Sequence, residues 1–418
     1  MISAREAVFL ALQQSSRNEQ FISDSLDKWG NQTQPSHADA QLARQLAYGV
    51  CQRAITLDYL SLKLADKQKL SLKLKEKLIL RMAVYQYYFL ERIPLYAIVD
   101  ESVRLAKKYC HQTFANFLNA ALRKLSQFPL DLPKGDSLES LSIQYSYPIF
   151  YIQALIKDLG LDSAKKILSI QNKPAPVMVR LRTSELPKEL NLQMVSEKPP
   201  VGILTDHSLM FRITHTPSVY IQNATPAHLI TALAEQLKDT PEKILDLCAA
   251  PGGKLLAMHD LFPMAALIGN DLTPEKVKLL QENCEKYQIP ADVVCEDGRK
   301  FESNILFDLI ILDVPCSNSG VLNKRAEARW RLSQESLNNL ATVQEQLIEH
   351  AITLLDPKGQ LWYMTCSILK EENEHLINRI CSKFGLRCCW QKTILPNDEG
   401  WDGGFACALA LGGGKSKC

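Results

Sequence analysis

Apolar residues return at helical spacing through the first 130 positions. Residues 4–13, 38–52, 72–89 and 98–108 repeat them at three- and four-residue steps, with few glycines and little β-branched clustering, which predicts helices. The 72–89 helix ends ahead of Pro94, whose predecessor is pushed out of the α region. The lysines at 67, 69, 73, 75 and 77 lie on it or at its entry, partly on one face. The stretch FPLDLPKGDS (128–137) then places two prolines and a glycine between periodic segments, and a domain boundary is expected there. A mixed region follows, in which IFYIQALIKDLG reads as a helix and PVMVRLR as a strand carrying Arg180 and Arg182. From about residue 225 the pattern alternates. KILDLCA, AALIGNDL, ADVVCED, FDLIILDVPC and GQLWYMTCS read as short apolar strands separated by helical text, including a long helix near 333–355. That alternation predicts a doubly wound α/β sheet. The expected organisation is a helical domain over 1–130, a small α+β connecting domain over 131–224 and an α/β domain over 225–418.

Composition narrows the possibilities. With 46% apolar and 22% charged residues, the 418-residue chain is expected to fold rather than remain disordered. No run approaches about 18 uninterrupted apolar residues, so no membrane span is expected. The opening MISAREAVFLALQQ carries both charges and too short an apolar core for a signal peptide. Twelve cysteines are scattered without a CxxC pair, which argues against a disulfide framework or a zinc knuckle and for a reducing cytoplasm with no structural metal. The net charge of +2 conceals an asymmetry: residues 1–130 hold 18 basic against 11 acidic side chains, the remainder 30 against 35. A basic helical third suits a polyanionic partner, although a solvated helical surface would look the same.

Ligands of open α/β sheets bind at the carboxyl ends of the strands. Those ends read LDLCAAPGGK (245–254), NDLTP (270–274), CEDGR (295–299), LDVPCS (312–317) and YMTCS (363–367). The loop Cys248, Ala249, Ala250, Pro251, Gly252, Gly253 and Lys254 lets a ligand approach the backbone closely, ahead of a helix N-terminus. Asp271 stands where a carboxylate accepts from two ribose hydroxyls, and Asp297 where one accepts from an adenine amino group. The loop matches neither GxGxxG nor GxxxxGKS, so a nucleoside with a short tail, S-adenosylmethionine, suits it better than a dinucleotide or a nucleoside triphosphate. Each aspartate alone is commonly a turn or cap residue; their order at successive strand ends carries the cofactor reading.

Buried cysteine is usually inert packing, and that reading suits Cys284, Cys381, Cys388, Cys389 and Cys407. Cys316 and Cys366 differ, because both fall where the chain leaves the sheet at the ligand-binding rim, near Asp313. Two thiols and an acid beside a methyl donor point to a specific reaction.

LDLCAAPGGK, LDVPCSNSGV and YMTCSILKEENE resemble the motifs of the RNA cytosine-5 methyltransferase family. ARQLAYGVCQRAITLD, LRMAVYQYYFLERIPLYAIVDESVRLAKK and FANFLNAALRKL are similar to the helical NusB-like domain fused to one branch of it, the ribosomal small-subunit RNA methyltransferase B (RsmB/Sun) group, and DGGFACAL resembles that group's closing strand. The resemblance covers nearly the whole chain. It implies an all-α NusB-like domain followed by a Rossmann-like class I methyltransferase domain, and a cytoplasmic enzyme, expected to be a monomer, that methylates carbon 5 of a cytosine in 16S ribosomal RNA. It assigns the nucleophile to Cys366, base recognition and charge stabilisation to Asp313, and release of the adduct to Cys316. It places S-adenosylmethionine against Cys248 through Lys254, Asp271, Asp297 and Asp313. The family's PCSGTGV loop reads PCSNSGV here, its later His-Pro-Asp is replaced by Arg325–Ala326–Glu327–Ala328, its Arg-x-Asn reads Arg180–Leu181–Arg182, and its VQD reads Ile221–Gln222–Asn223. The arginines of the connecting domain are candidates for holding RNA phosphates, and Arg329 and Trp330 for stacking on RNA, with a buried tryptophan the favoured reading. A transfer RNA substrate is the rival within the same chemistry. A DNA cytosine methyltransferase would use Cys316 as nucleophile, against which the second thiol counts, and a non-catalytic NusB-like RNA-binding protein would have no need of the intact loop and Cys366.

Overall fold

A computed structural model describes residues 2–17, 20–66, 69–183 and 190–412; Lys67 and Cys418 lie outside them. The chain separates into two compact units, Met1–Lys157 with Arg325–Trp330, and Asp158–Lys324 with Arg331–Cys418.

The first unit is helical, with helices at Ala4–Ser16, Ile22–Thr33, His37–Gln52, Ala54–Leu64, Leu74–Phe89, Leu95–Tyr109, Gln112–Leu122 and Leu138–Tyr145. Phe9, Leu46, Leu57, Ile79 and Leu118 form the middle of one continuous apolar core. Ile22–Thr33 escapes the periodicity because only Ile22, Leu26 and Trp29 turn inward from an otherwise polar text. Ala54–Leu64 follows the preceding helix after Arg53 alone, so it reads as a continuation. The proline-rich stretch does not end this unit. Beyond it, Ile143 O accepts from Thr56 Oγ1 at 2.6 Å and Ser146 Oγ from the Ile55 amide at 3.0 Å, so the helix Leu138–Tyr145 joins the same body. The compact unit runs on past residue 130 to Lys157, the two prolines marking a turn within it.

A six-residue segment from far along the chain completes this unit. Arg329 is fully buried, its guanidinium 4.1 Å from the Tyr147 ring centroid and donating to Gln52 O at 2.7 Å and Ser146 O at 3.2 Å. Trp330 Nε1 donates to Cys51 O at 3.0 Å. Arg329, a candidate for stacking on RNA, instead stacks on protein.

The second unit holds two sheets. The smaller is antiparallel, in the order β2 (Leu192–Glu197), β3 (Pro200–Leu204), β1 (Met178–Leu181), β4 (Val219–Ile221). The arginines expected to hold phosphates are engaged within the unit: Arg180 and Arg182 each reach Asp260 at 2.9 Å, and Arg180 is buried. In the larger sheet, β5 (Lys243–Asp246), β6 (Ala266–Asp271), β7 (Ala291–Cys295), β8 (Phe307–Asp313) and β9 (Leu355–Thr365) run parallel, while β11 (Gly404–Leu411) pairs antiparallel with β9 and with β10 (Leu386–Ile394). The order β10–β11–β9–β8–β5–β6–β7 puts the switch point between β5 and β8, where open sheets bind ligands. Ile244, Leu309, Ile311 and Trp362 pack one face of the sheet, and Leu245, Ile310, Leu312 and Tyr363 the other, all buried. Burial on both faces is why these strands read as nearly continuous apolar runs.

Candidate active site

The chain leaves β5 at Asp246 and turns through Cys248–Gly253 into the helix Gly253–Leu261. Gly252 holds φ +107, a left-handed conformation, and a Cβ there would meet Leu280 Cδ1 at 2.9 Å. At Gly253 a Cβ would stand 2.9 Å from the Tyr220 ring. Both positions therefore require glycine. Asp271, 3% exposed, accepts from the Ala250 amide at 3.0 Å and the Leu272 amide at 2.8 Å, and pairs with Lys276 Nζ at 3.0 Å. A carboxylate offers about four lone-pair directions, so Asp271 keeps one for a further donor. Asn270 ties three strand ends together, donating to Leu247 O and to Glu296 O, each at 3.1 Å. Asp297 is engaged by Arg299 at 2.6 Å; that hydrogen-bonded ion pair, against partial burial, holds its carboxyl down at about 2.

Asp246 is fully buried and one of its oxygens, Oδ2, has no hydrogen-bond partner. Burial, opposed by the Lys254 charge, pushes its carboxyl up to about 7. Lys254 Nζ pairs with Asp313 at the end of β8. Burial works to lower the Lys254 ammonium, but Asp313 and then Asp246 outweigh it and hold the group above its ordinary value. Burial likewise pushes the Cys248 thiol up, so it stays protonated beside the loop.

The two thiols meet. β8 and β9 are parallel neighbours with Asp313 opposite Met364, and Cys316 and Cys366 lie just beyond, their sulfurs 3.1 Å apart. The contact with Cys366, then burial, pushes the Cys316 thiol well up. The loops carrying them are cross-braced. Buried Glu372 accepts from the Ser317 amide at 2.8 Å, Ser317 Oγ at 2.5 Å and Gln344 Nε2 at 3.2 Å. Ser319 and Ser367 share a hydrogen bond of 2.8 Å, and the Gly320 amide donates to Cys366 O at 2.9 Å. Gly403 donates to Gly320 O at 2.8 Å, and a Cβ on Gly320 would sit 2.4 Å from Gly403 O.

The sequence-derived cofactor and catalytic candidates, Cys248–Lys254, Asp271, Asp297, Asp313, Cys316 and Cys366, thus fall at the strand ends of the α/β unit. Asp246, Asn270, Asn318, Gly320, Glu372 and Gly403 join them without having been singled out. Their one signal was membership of the same motifs, LDLCAAPGGK, NDLTP, PCSNSGV, SILKEENE and DGGF. Of the thiols read as packing, Cys388 is half-buried, and its contact with Cys407, against burial, lowers it to about 7. Among the described residues no group of three or more His, Cys, Asp or Glu side chains could hold a metal ion, and no helix is long and apolar enough to cross a membrane.

A glycine loop and acidic groups at the ends of a seven-stranded sheet of this order define a Rossmann-like methyltransferase. Comparison with known proteins specifies it further. The family model described as "16S rRNA methyltransferase RsmB/F" matches residues 230–407, and that of the NusB family matches residues 2–127. The chain is 26% identical to "Ribosomal RNA small subunit methyltransferase B" of Proteus mirabilis, covering 88% of this chain and 90% of that protein. To the "Probable ribosomal RNA small subunit methyltransferase B" of Bacillus subtilis it is 28% identical, covering 97% and 98%. Its fold is shared with the crystal structure of PH0851, at a TM-score of 0.79 and 21% identity over 98% of each chain. Residues 230–407 thus form an RsmB/F-type methyltransferase domain and residues 2–127 a NusB-family domain, in a chain whose relatives are named small-subunit ribosomal RNA methyltransferase B.

Proposed function

We propose that the protein methylates carbon 5 of a cytosine in 16S ribosomal RNA, using S-adenosylmethionine and a covalent bond between Cys366 and the base. The observation that carries this reading is the meeting of Cys316 and Cys366 at 3.1 Å beside the Lys254–Asp313 pair. The relatives' names, which specify small-subunit ribosomal RNA, favour that substrate.

The loop suits the cofactor on three counts: Gly252 and Gly253 leave room for close backbone approach, Asp271 retains an acceptor direction, and Asp246 Oδ2 is an unpartnered buried acceptor. Cys248–Lys254, Asp271, Asp297 and Asp313 would line its site. When bound, S-adenosylmethionine supplies an electrophilic methyl group.

Carbon 5 of cytosine is a weak nucleophile until a thiolate adds to carbon 6. Cys366, as thiolate, makes that bond, and the ring becomes an enamine whose carbon 5 can accept the methyl group. Asp313 hydrogen-bonds the N3/N4 edge of the base and, with Lys254 beside it, steadies the charge that develops there. Once Cys366 is bonded to carbon 6, the thiol contact that pushes Cys316 up is gone. Cys316, its own proton given up to solvent, takes the proton from methylated carbon 5 as a thiolate, the carbon 5–carbon 6 double bond re-forms, and the Cys366 thiolate leaves. A base stacked within a helix exposes neither ring face, so the target cytosine must be turned out.

Bisulfite sequencing of 16S ribosomal RNA and transfer RNA incubated with the protein and S-adenosylmethionine tests the reading. A new 5-methylcytosine in the 16S RNA is expected. Its appearance in transfer RNA alone would move the substrate, and methylation at another atom would overturn the chemistry.

A further inference from the structure

β8 and β9 are parallel neighbours, so the chain leaves both at the same edge of the sheet, and the sulfurs of Cys316 and Cys366 stand 3.1 Å apart there. The backbone on each side is pinned. The Asn318 side chain donates to Cys316 O at 3.0 Å, and the Gly320 amide to Cys366 O at 2.9 Å. The Ser317 and Ser319 hydroxyls reach Ser367 Oγ at 3.3 and 2.8 Å. A disulfide holds its sulfurs about 2.0 Å apart, so this pair has about 1 Å left to close.

Both side chains are partly exposed. That separates them from Cys388 and Cys407, which also touch but of which Cys407 is fully buried. A thiol closed off from solvent resists oxidants, whereas an accessible thiol beside a second one is the arrangement in which oxidation stops at the disulfide.

We propose that Cys316 and Cys366 are a redox-modification site, joined in a reversible disulfide on exposure to a peroxide. The bond itself rests on the geometry; that it halts methyl transfer rests on the reading of the two thiols as nucleophile and release group. One sulfur attacks a peroxide oxygen, the O–O bond breaks, and the departing hydroxide takes that thiol's proton, leaving a sulfenic acid and water. The other sulfur attacks the sulfenic sulfur, the S–O bond breaks, and hydroxide takes the second proton. Two thiols are oxidised by two electrons and the peroxide is reduced to two waters. A dithiol restores the pair by exchange through a mixed disulfide. Each thiol thereby keeps its neighbour from the sulfinic acid, which thiols do not reverse.

The test is peptide mass mapping of the full chain after brief treatment with hydrogen peroxide and blocking of free thiols with iodoacetamide, digested without reductant. A peptide pair joining Cys316 to Cys366 is expected, together with a loss of methyl transfer that dithiothreitol restores. In Cys316→Ala the sulfur of Cys366 has no partner. Prolonged peroxide should leave it as a sulfinic acid that dithiothreitol does not return to an alkylatable thiol, whereas the parent protein recovers. Absence of the Cys316–Cys366 pair, with only other thiols oxidised or with none, would overturn the proposal. So would full recovery of Cys366 in Cys316→Ala after the same prolonged treatment. If the pair forms and the linked protein still transfers methyl groups, the disulfide stands and the reading of the two thiols as reacting groups falls.

Discussion

In the helical unit, order comes from many apolar side chains of similar worth. Phe9, Leu46, Leu57 and Leu118 are each fully buried within a core that also draws on their many neighbours. Across the rim of the α/β unit, position is held by a few polar groups that have left water and have few substitutes. Glu372 alone receives three hydrogen bonds from two residues, and Asn270 alone ties three strand ends. Truncating an apolar core side chain costs its burial and leaves a cavity, whereas removing a buried acceptor strands every donor that faced it. The first kind of damage is spread over a core; the second is aimed at the reacting atoms.

The largest consequence is expected at Glu372. Glu372→Ala leaves the Ser317 amide, its hydroxyl and Gln344 without their acceptor in a buried site. Stability should fall by about 4 kcal/mol in denaturant titrations and methyl transfer by about a hundredfold. Glu372→Gln should recover part of both, since one oxygen remains an acceptor. An active Glu372→Ala protein would remove the distinction drawn between core and rim.

Leu46→Ala offers the counterpart. It should destabilise the helical unit by about 3 kcal/mol, the ordinary cost of such a truncation, read from the melting of its helical signal. S-adenosylmethionine affinity, measured by calorimetry below that transition, should stay unchanged. A parallel loss of cofactor binding would contradict the division.

A smaller, pH-dependent effect is expected at Asp246, whose carboxyl is pushed up to about 7. Its pKa in the folded protein exceeds that in the unfolded chain, so the folded state binds more protons between the two values. The stability associated with this group is therefore present at low pH and lost as pH rises toward about 7. Asp246→Asn removes the titration but keeps an acceptor for the Cys248 amide. Its stability relative to the parent should rise by about 1–3 kcal/mol across that window and level off above it. A constant difference across the range would show that the carboxyl does not titrate there.

The same contrast decides what could be read from sequence. The central strands announce themselves because both faces are buried, so FDLIILD and QLWYMT are apolar almost without interruption. Cys316 and Cys366 stand out because a thiol directly beyond such a strand is at the ligand rim. Glu372 does not, since within KEENE nothing distinguishes the carboxylate that folds inward from those that face water. β10 hides for a different reason: as an edge strand it keeps Arg387, Gln391 and Lys392 exposed, which breaks the apolar run. Nor could text alone show that Arg329, deep in the α/β part of the sequence, is enclosed against Tyr147 in the helical unit. Apolar cores are written in periodicity, while polar braces depend on which distant residues meet.

The central claim is that the two facing thiols have different tasks, and denaturing gel electrophoresis of protein incubated with labelled 16S RNA tests it most directly. Cys366→Ala should neither methylate nor form a covalent adduct, because the atom that bonds to carbon 6 is gone. Cys316→Ala should still attack and methylate but fail to release, and a protein–RNA complex should accumulate in the presence of S-adenosylmethionine. Were Cys316→Ala to abolish the adduct and Cys366→Ala to trap it, the roles would be reversed. Unaltered turnover in both variants would contradict the covalent mechanism itself.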